Sequence, residues 1–115
     1  MLTAAIQKRL TAVILGEFSR KPRHYFIGKD GYFVLRVYWK FKDERTGKQK
    51  LSKDIHIHIT ETGIEDYAGE SPSGKLKTEK QLAAYIRKKL LHFDPSHNTP
   101  PGAPIPREEW SFGNA

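Results

Sequence analysis

The chain has 115 residues, carries 20 Lys and Arg against 13 Asp and Glu, and contains no cysteine. This length fits one domain, and the absence of thiols excludes disulfides, cysteine nucleophiles and cysteine-ligated metal sites. No apolar run approaches the roughly 18 residues that span a bilayer, and the first nine residues lack the basic-then-apolar order of a signal peptide. We therefore expect a cytoplasmic protein that does not enter a membrane.

Charge is distributed unevenly along the chain. Residues 1–53 contain 13 basic and 4 acidic side chains, whereas residues 54–70 contain 5 acidic side chains and no basic one. Residues 71–92 are basic again, and the whole chain carries a net charge of +7. Because segregated charge creates a surface field, the sequence favours an anionic partner. The alternative is an ordinary basic surface of solvated lysines.

The first predicted element is a helix over residues 3–18. Its apolar residues recur at intervals of three and four, which places them on one stripe. Thr3 is suited to be the N-cap of this helix, and the segment from Ser19 to Pro22 ends it.

Two strands and a hairpin turn are predicted next. Residues 24–28 are rich in strand formers, and Asp30-Gly31 is a strong hairpin signal. The clearest strand runs over residues 32–42, where bulky apolar residues occupy the odd positions. Alternate residues of a strand point to opposite faces, so the other face carries Tyr32, Arg36, Tyr38, Lys40 and Lys42.

A third strand is predicted over residues 51–60. Its isoleucines at alternate positions face the core, while Ser52, Asp54, His56 and His58 are expected to face outward. After a turn, residues 64–68 are expected to form a short fourth strand or a return towards the sheet.

A second helix is predicted to begin at Thr78, after a loop over residues 69–77. The sequence Thr78-Glu79-Lys80-Gln81 matches a capping box, in which two side chains each satisfy a free backbone donor. The apolar residues that follow recur at helical spacing as far as Phe93.

The last predicted segment, residues 95–115, is an extended or disordered tail. Four of the nine residues from 98 to 106 are proline, which excludes a helix or a central strand there. Trp110 and Phe112 are unusual residues for a solvated tail. They either fold back onto the domain or dock on another subunit or protein.

These elements predict a single α+β domain over residues 1–94, in the order α-β-β-β-(β)-α. An antiparallel sheet of three to four strands would carry the N-terminal and C-terminal helices on one face. The order of elements loosely resembles that of double-stranded-RNA-binding domains, although the short motifs of that family are absent.

The uncovered face of the sheet is the main candidate site. Lys and Arg neutralise phosphates with release of counterions, and Tyr and His rings offer surfaces on which unpaired bases stack. We therefore predict a non-enzymatic protein that binds RNA or DNA. The predicted nucleic-acid contacts are Tyr32, Arg36, Tyr38, Lys40, Lys42, Arg45, Lys48, Lys50, His56 and His58.

The main alternative is a protein-interaction module. Tyr and Arg are enriched at protein interfaces, and an exposed sheet edge can pair with a second copy. In this interpretation the sheet face, or Trp110 and Phe112 in the tail, contacts a protein partner or forms a homodimer.

Other interpretations involve metal binding or catalysis. His56 and His58 could share a metal if His24, Asp54 or Glu61 supplied a third ligand. His58-x-Thr60 and His97-x-Thr99 match the repeated His-x-Thr pattern of two-histidine phosphoesterases. However, His97 lies in the proline-rich tail, whereas acid–base catalysis needs both histidines held rigidly. We therefore assign no catalytic residue, metal ligand or cofactor.

Overall fold

The computed structural model describes residues 1–100 and 102–114, which form three helices and six strands. The helices are α1 (Ala4–Leu15), α2 (Glu61–Gly69) and α3 (Pro72–Leu91). The strands are β1 (Arg23–Phe26), β2 (Phe33–Tyr38), β3 (Lys40–Lys42), β4 (Gln49–Leu51), β5 (Asp54–Ile59) and β6 (Arg107–Phe112). The mixed α+β class predicted from the sequence is confirmed.

Four of the strands form the main sheet, in the spatial order β1-β2-β5-β6. The β1–β2 and β2–β5 pairs are antiparallel, whereas β5 and β6 are parallel. A parallel pair needs a long crossover connection, and the segment that contains α2 and α3 supplies it. Strands β3 and β4 form a separate antiparallel hairpin.

The hydrophobic core lies between one face of the main sheet and the helices. The odd positions of β2 and β5 are buried there, as the alternation predicted, and each helix adds apolar side chains to the same cluster. Burial of a side chain of this size contributes roughly 1.5–3 kcal/mol. The core residues from these elements are Leu10, Ile14, Phe33, Leu35, Val37, Ile55, Ile57, Ile59, Ile64, Tyr67, Leu82 and Ile86.

Helix α1 begins as the sequence predicted but ends at residue 15 rather than 18. Thr3 is the N-cap, and its hydroxyl oxygen accepts the Ile6 N–H at 3.2 Å. Beyond Gly16 the chain tightens, because the Glu17 and Phe18 N–H groups bond to carbonyls only three residues back. This turn directs Phe18 towards Trp39, with ring centroids 5.8 Å apart.

The predicted continuous strand over residues 32–42 is interrupted at Trp39. The Trp39 carbonyl accepts the Ser52 N–H at 2.7 Å, while the Trp39 N–H donates to Ser52 Oγ at 3.0 Å. Ser52, which was expected to face outward, is fully buried, and its hydroxyl donates to the Lys53 carbonyl at 2.9 Å. Since a side-chain oxygen replaces a backbone acceptor at this point, the regular ladder stops and the β3–β4 hairpin leaves the main sheet.

The predicted fourth strand over residues 64–68 is wrong, because these residues belong to helix α2. Thr60 is its N-cap, with Oγ1 accepting the Gly63 N–H at 3.0 Å. Glu61 then places a negative charge in the first turn, where it interacts favourably with the positive end of the helix dipole. These local contacts explain why the short segment is helical.

Helix α3 begins at Pro72 instead of Thr78, so the predicted loop and capping box are both wrong. Ser71 is the N-cap, and Pro72 occupies the first turn, where its missing N–H costs nothing. Thr78 donates its hydroxyl to Glu70 at 2.7 Å. Glu79, which lies between the two capping residues of the predicted box, is turned into the helical layer.

A network around the buried Glu79 side chain joins the three helices. Glu79 is only 7% exposed. Its carboxylate accepts hydrogen bonds from Arg9 Nη2 and from the Tyr67 hydroxyl, each at 2.6 Å. The Arg9 hydrogen bond lowers the pKa of Glu79. Burial and the hydrogen bond to Glu79 raise the pKa of Tyr67 to about 12. The network therefore favours an ionised Glu79 and a protonated Tyr67.

The predicted tail over residues 95–115 contains a strand of the main sheet, so the sheet extends beyond the predicted 1–94 boundary. Residues 107–112 form β6, in which Glu108, Trp110 and Phe112 alternate inward. Trp110 is 1% exposed. Pro101 and Ala115, also assigned to the tail, lie outside the described residues. The strand forms because alternate apolar residues can complete the core beside β5.

Candidate functional site

The structure brings four of the predicted contact residues together on the face opposite the core. Arg36 and Tyr38 lie on β2, and His56 and His58 lie on β5, with Arg36 directly beside His56 in the register. All four are half-buried. We call this surface the open face, and it also includes Tyr25 from β1 and Asp54, Arg107 and Glu109 from β5 and β6.

The charges of the open face are paired with one another. The Arg36 guanidinium contacts both carboxylate oxygens of Asp54, at 3.1 and 3.3 Å, and lies 4.7 Å from the centre of the Tyr38 ring. Glu109 Oε1 is 3.5 Å from His58 Nε2 and 3.7 Å from Arg107 Nε. The sequence had placed Arg107 and Glu109 in a tail, so their contribution to this face was missed. The positive charge predicted here is largely compensated within the fold.

The aromatic groups of the open face also interact with one another. Tyr25 and Tyr38 are stacked with ring centroids 6.1 Å apart. A hydrogen bond with the Tyr25 hydroxyl, together with Arg23 and Arg36, lowers the pKa of Tyr38. Burial, followed by the charge of Arg107, lowers the pKa of His56. His56 is therefore neutral at pH 7 and adds no cation to this face.

The predicted lysines and arginine of residues 40–50 lie on the β3–β4 hairpin and not on the main sheet. Lys50 Nζ is 3.1 Å from Asp43, and a hydrogen bond from Lys50 lowers the pKa of Asp43. Arg45 hydrogen-bonds to the Asn98 side chain. Lys40, Lys42 and Lys48 are exposed.

Tyr32 lies apart from the hairpin, in the turn before the opposite end of β2. Its side chain is 56% exposed. It lines a groove of about 600 Å³ together with Ile27 and His58. The structure therefore does not bring Tyr32 together with the hairpin lysines.

Trp110 and Phe112 belong to the packed interior and not to a free docking peptide. The Trp110 ring packs edge-on against Phe93 at 5.9 Å, and its Nε1 donates to Glu108 at 3.1 Å. Phe112 is half-buried against Tyr85, with ring centroids 5.7 Å apart. Trp110 has almost no accessible surface and so offers no exposed partner contact in this fold, whereas Phe112 is half-buried.

A second cationic surface lies where the turn after α1 meets the start of β3. It is a cleft of about 670 Å³. The turn contributes Arg20 and Lys21, β1 contributes Arg23, and β3 contributes Lys40 and Phe41. We call this site the basic cleft, and its complete lining is Glu17, Phe18, Ser19, Arg20, Lys21, Arg23, Trp39, Lys40, Phe41 and Leu90.

The cations of the basic cleft are not neutralised by the fold. Among the residues that the structure describes, Arg20, Lys21, Arg23 and Lys40 form no ion pair. Glu17 is the one acidic residue in the lining, and its carboxylate is bound to Arg87 Nε at 2.9 Å. The cleft therefore keeps an excess of positive charge.

The aromatic residues of the basic cleft differ in how they are held. Phe18 and Trp39 pack on the core, and Trp39 also lies 5.3 Å from the Phe93 ring centre. Phe41 is half-buried but is not among the partly buried residues packed on the core. Alternation along the strand had assigned Trp39 and Phe41 to the core. The sequence signal for the basic cleft was the cationic run Arg20-Lys21-Pro22-Arg23.

The metal and catalytic interpretations concern where the structure places the histidines and the acidic residues. Within residues 1–100 and 102–114, no three His, Asp or Glu side chains are placed to share a metal ion. His97 Nε2 lies 2.9 Å from the Leu51 carbonyl, and its Nδ1 lies 2.9 Å from Thr99 Oγ1, so this histidine ties the segment after α3 to strand β4. No helix within the described residues is long and apolar enough to cross a membrane.

Comparison of the chain with protein-family models, curated proteins and solved structures finds no match.

Proposed function

We propose that this protein is a non-enzymatic nucleic-acid-binding protein whose phosphate contacts come from the basic cleft and the adjoining hairpin. The observation that carries this proposal is the group of cations at Arg20, Lys21 and Lys40, which line the cleft and form no ion pair within the described residues. A cation without an internal partner retains its full attraction for phosphate, and each neutralised phosphate releases counterions. The exposed Lys42 and Lys48 extend the same positive region along the hairpin.

The open face has a smaller role in this proposal than the sequence predicted. Arg36 must separate from Asp54 before it can neutralise a phosphate, and Glu109 repels a polyanion that approaches His58 or Arg107. Since both costs oppose binding, the open face is the flank of the interface and the basic cleft is its centre.

Fluorescence anisotropy with labelled single-stranded DNA, duplex DNA and RNA across a salt series tests this function. The test variant carries Arg20→Gln, Lys21→Gln and Lys40→Gln. The control carries Lys77→Gln, Lys80→Gln and Lys88→Gln, which remove the same charge from the exposed side of α3. We expect the parent to bind with a dissociation constant below about 10 μM near physiological salt, with log K falling linearly in log salt.

The cleft variant should bind at least about tenfold more weakly, with a salt dependence that is about 2 lower in slope, because roughly 0.7 counterions are released per neutralised phosphate of a single strand. The α3 variant should stay close to the parent. Equal losses in the two variants would show that only total charge matters, and a parent that binds none of the three ligands would refute nucleic-acid binding.

A second candidate function is self-association through the free edge of β1. Tyr25 in this edge strand is 52% exposed, and Ile27, directly after the strand, is 39% exposed. An uncovered edge presents unpaired backbone groups to another strand. Light scattering after size exclusion tests this candidate: a dimer that Ile27→Lys converts to a monomer supports it, and a parent that is monomeric refutes it.

A further inference from the structure

We propose that the basic cleft is a binding site for an unpaired nucleobase, which lies against the Phe41 ring while Arg20, Lys21 and Lys40 hold the flanking phosphates. This inference rests on the proposed nucleic-acid binding and specifies its ligand as single-stranded. It also names Phe41, which the predicted contact residues did not include, as the residue that selects this ligand.

Phe41 differs from Phe18 and Trp39, the other aromatic residues of the cleft, in that it does not pack on the core. Its ring is half-buried, lies outside the core cluster, and stands between the exposed cations Lys40 and Lys42 on β3. Phe18, Trp39 and Phe93 all have aromatic neighbours that account for their positions. Among the described residues, Phe41 takes part in no aromatic pair.

The size and charge of the basic cleft fit a nucleotide unit. Its volume of about 670 Å³ lies within the roughly 300–1,000 Å³ typical of small-ligand sites. Its lining combines apolar rings with cations, and Glu17, the acidic residue, is already occupied by Arg87. An anion that carries an aromatic ring satisfies both features, since the ring covers Phe41 and the anionic group meets the cations.

Single strands satisfy this geometry and duplexes do not. A base in a duplex is stacked between its neighbours and presents only its edge, whereas an unpaired base can lay its face on an aromatic side chain. Because every base has such a face, the cleft selects strandedness with little selection of sequence.

The first experiment compares three labelled ligands of equal length: a single strand, the corresponding duplex, and a strand with the same phosphates but abasic sugars. DNA and RNA versions of the single strand are both included. The test variant is Phe41→Leu. The control is Tyr32→Leu, which removes an exposed aromatic ring from the opposite end of β2.

We expect the parent to bind the single strand about tenfold or more tightly than the abasic strand, as stacking of one base on one aromatic ring allows. Phe41→Leu should abolish this difference without changing the salt slope, and Tyr32→Leu should preserve it. Equal binding of all three ligands, with Phe41→Leu without effect, would overturn the base-binding site. If the Arg20, Lys21 and Lys40 variant still weakened binding in that case, the proposed nucleic-acid function would stand, whereas a parent that binds no ligand refutes both.

A second experiment needs no substitution and covers the case in which Phe41→Leu does not fold. Trp39 lines the cleft, whereas Trp110 is 1% exposed, so quenching of tryptophan emission by neutral acrylamide reports mainly on Trp39. The single strand should reduce this quenching more than the abasic strand does at equal saturation. Equal protection by the two ligands would contradict insertion of a base.

Discussion

The open face and the basic cleft have similar compositions and different electrostatics. Both combine cations with aromatic rings. Arg36 on the open face contacts Asp54, whereas Arg20, Lys21 and Lys40 in the cleft have no carboxylate partner among the described residues. A cation paired inside the fold contributes to stability, and an unpaired cation is available to a ligand. The comparison shows that the number of basic residues on a surface does not determine how much of its charge is free.

The largest effect on stability is expected when the internal pairing around Glu79 is removed. Glu79→Gln removes the charge that Arg9 and Tyr67 share, and we expect it to lower the free energy of unfolding by about 1–2 kcal/mol at pH 7, as for hydrogen bonds to a charged group in partial contact with solvent. Urea denaturation at pH 7 provides the measurement. An effect below the error of that measurement would show that pairing in this network does not stabilise the fold.

The same network predicts a pH dependence. The pKa of Glu79 is lower in the folded protein than its ordinary value of 4.5, so folding is favoured by ionisation of this carboxyl group. Its contribution is present above pH 4.5 and is lost as the pH falls through the folded-state pKa. The stability difference between the parent and Glu79→Gln should therefore shrink from pH 6 to pH 3. A constant difference over this range would contradict the assignment.

A smaller effect is expected at the open face. Arg36→Gln should cost less than about 1 kcal/mol, because the pair with Asp54 is partly exposed. Nucleic-acid affinity should change by less than about twofold, whereas the matched variant Asp54→Asn should increase affinity by releasing the Arg36 charge. A loss with Arg36→Gln as large as that of the cleft variant would return the open face to the centre of the interface.

The smallest effect on stability is expected in the basic cleft. The free energy of unfolding of the variant with Arg20→Gln, Lys21→Gln and Lys40→Gln should lie within about 0.5 kcal/mol of the parent value, because these exposed side chains make no ion pair with any described residue. Urea denaturation checks this value and also establishes that weaker binding does not reflect unfolding. A loss above about 1 kcal/mol would show that these cations support the fold.

The parts of the fold that depend on local pattern were predictable from the sequence. The alternation in β2 and β5 correctly placed Phe33, Leu35 and the isoleucines in the core, since a strand has a period of two. The Thr3 cap was correct because it needs only the next turn of the chain. The start of α3 was not predicted correctly. Ser71 and Thr78 are both residue types that cap helices, and the contact of Glu79 with Arg9 joins residues distant in sequence.

The basic cleft could not be predicted from local sequence patterns, for a related reason. Arg20 and Lys21 were counted in the charge of the chain, but a loop has no period that indicates where it lies. Lys40 was assigned to the open face because the strand was taken to continue through Trp39. The break there depends on buried Ser52, which occupies a position where a serine facing water is common. Only the folded arrangement brings the loop and β3 together.

The parallel pairing of β6 with β5 also affects how the chain assembles. It joins residues about fifty positions apart, such as Asp54 and Arg107, and contacts of this range form slowly because a long loop must first close. Until they form, the isoleucine-rich β5 is an open edge that can pair with another chain. In the folded protein β6 covers β5 and becomes the edge of the sheet itself, with Arg107 and Glu109 exposed on it, so we expect the chain to be most prone to aggregation before β6 has paired.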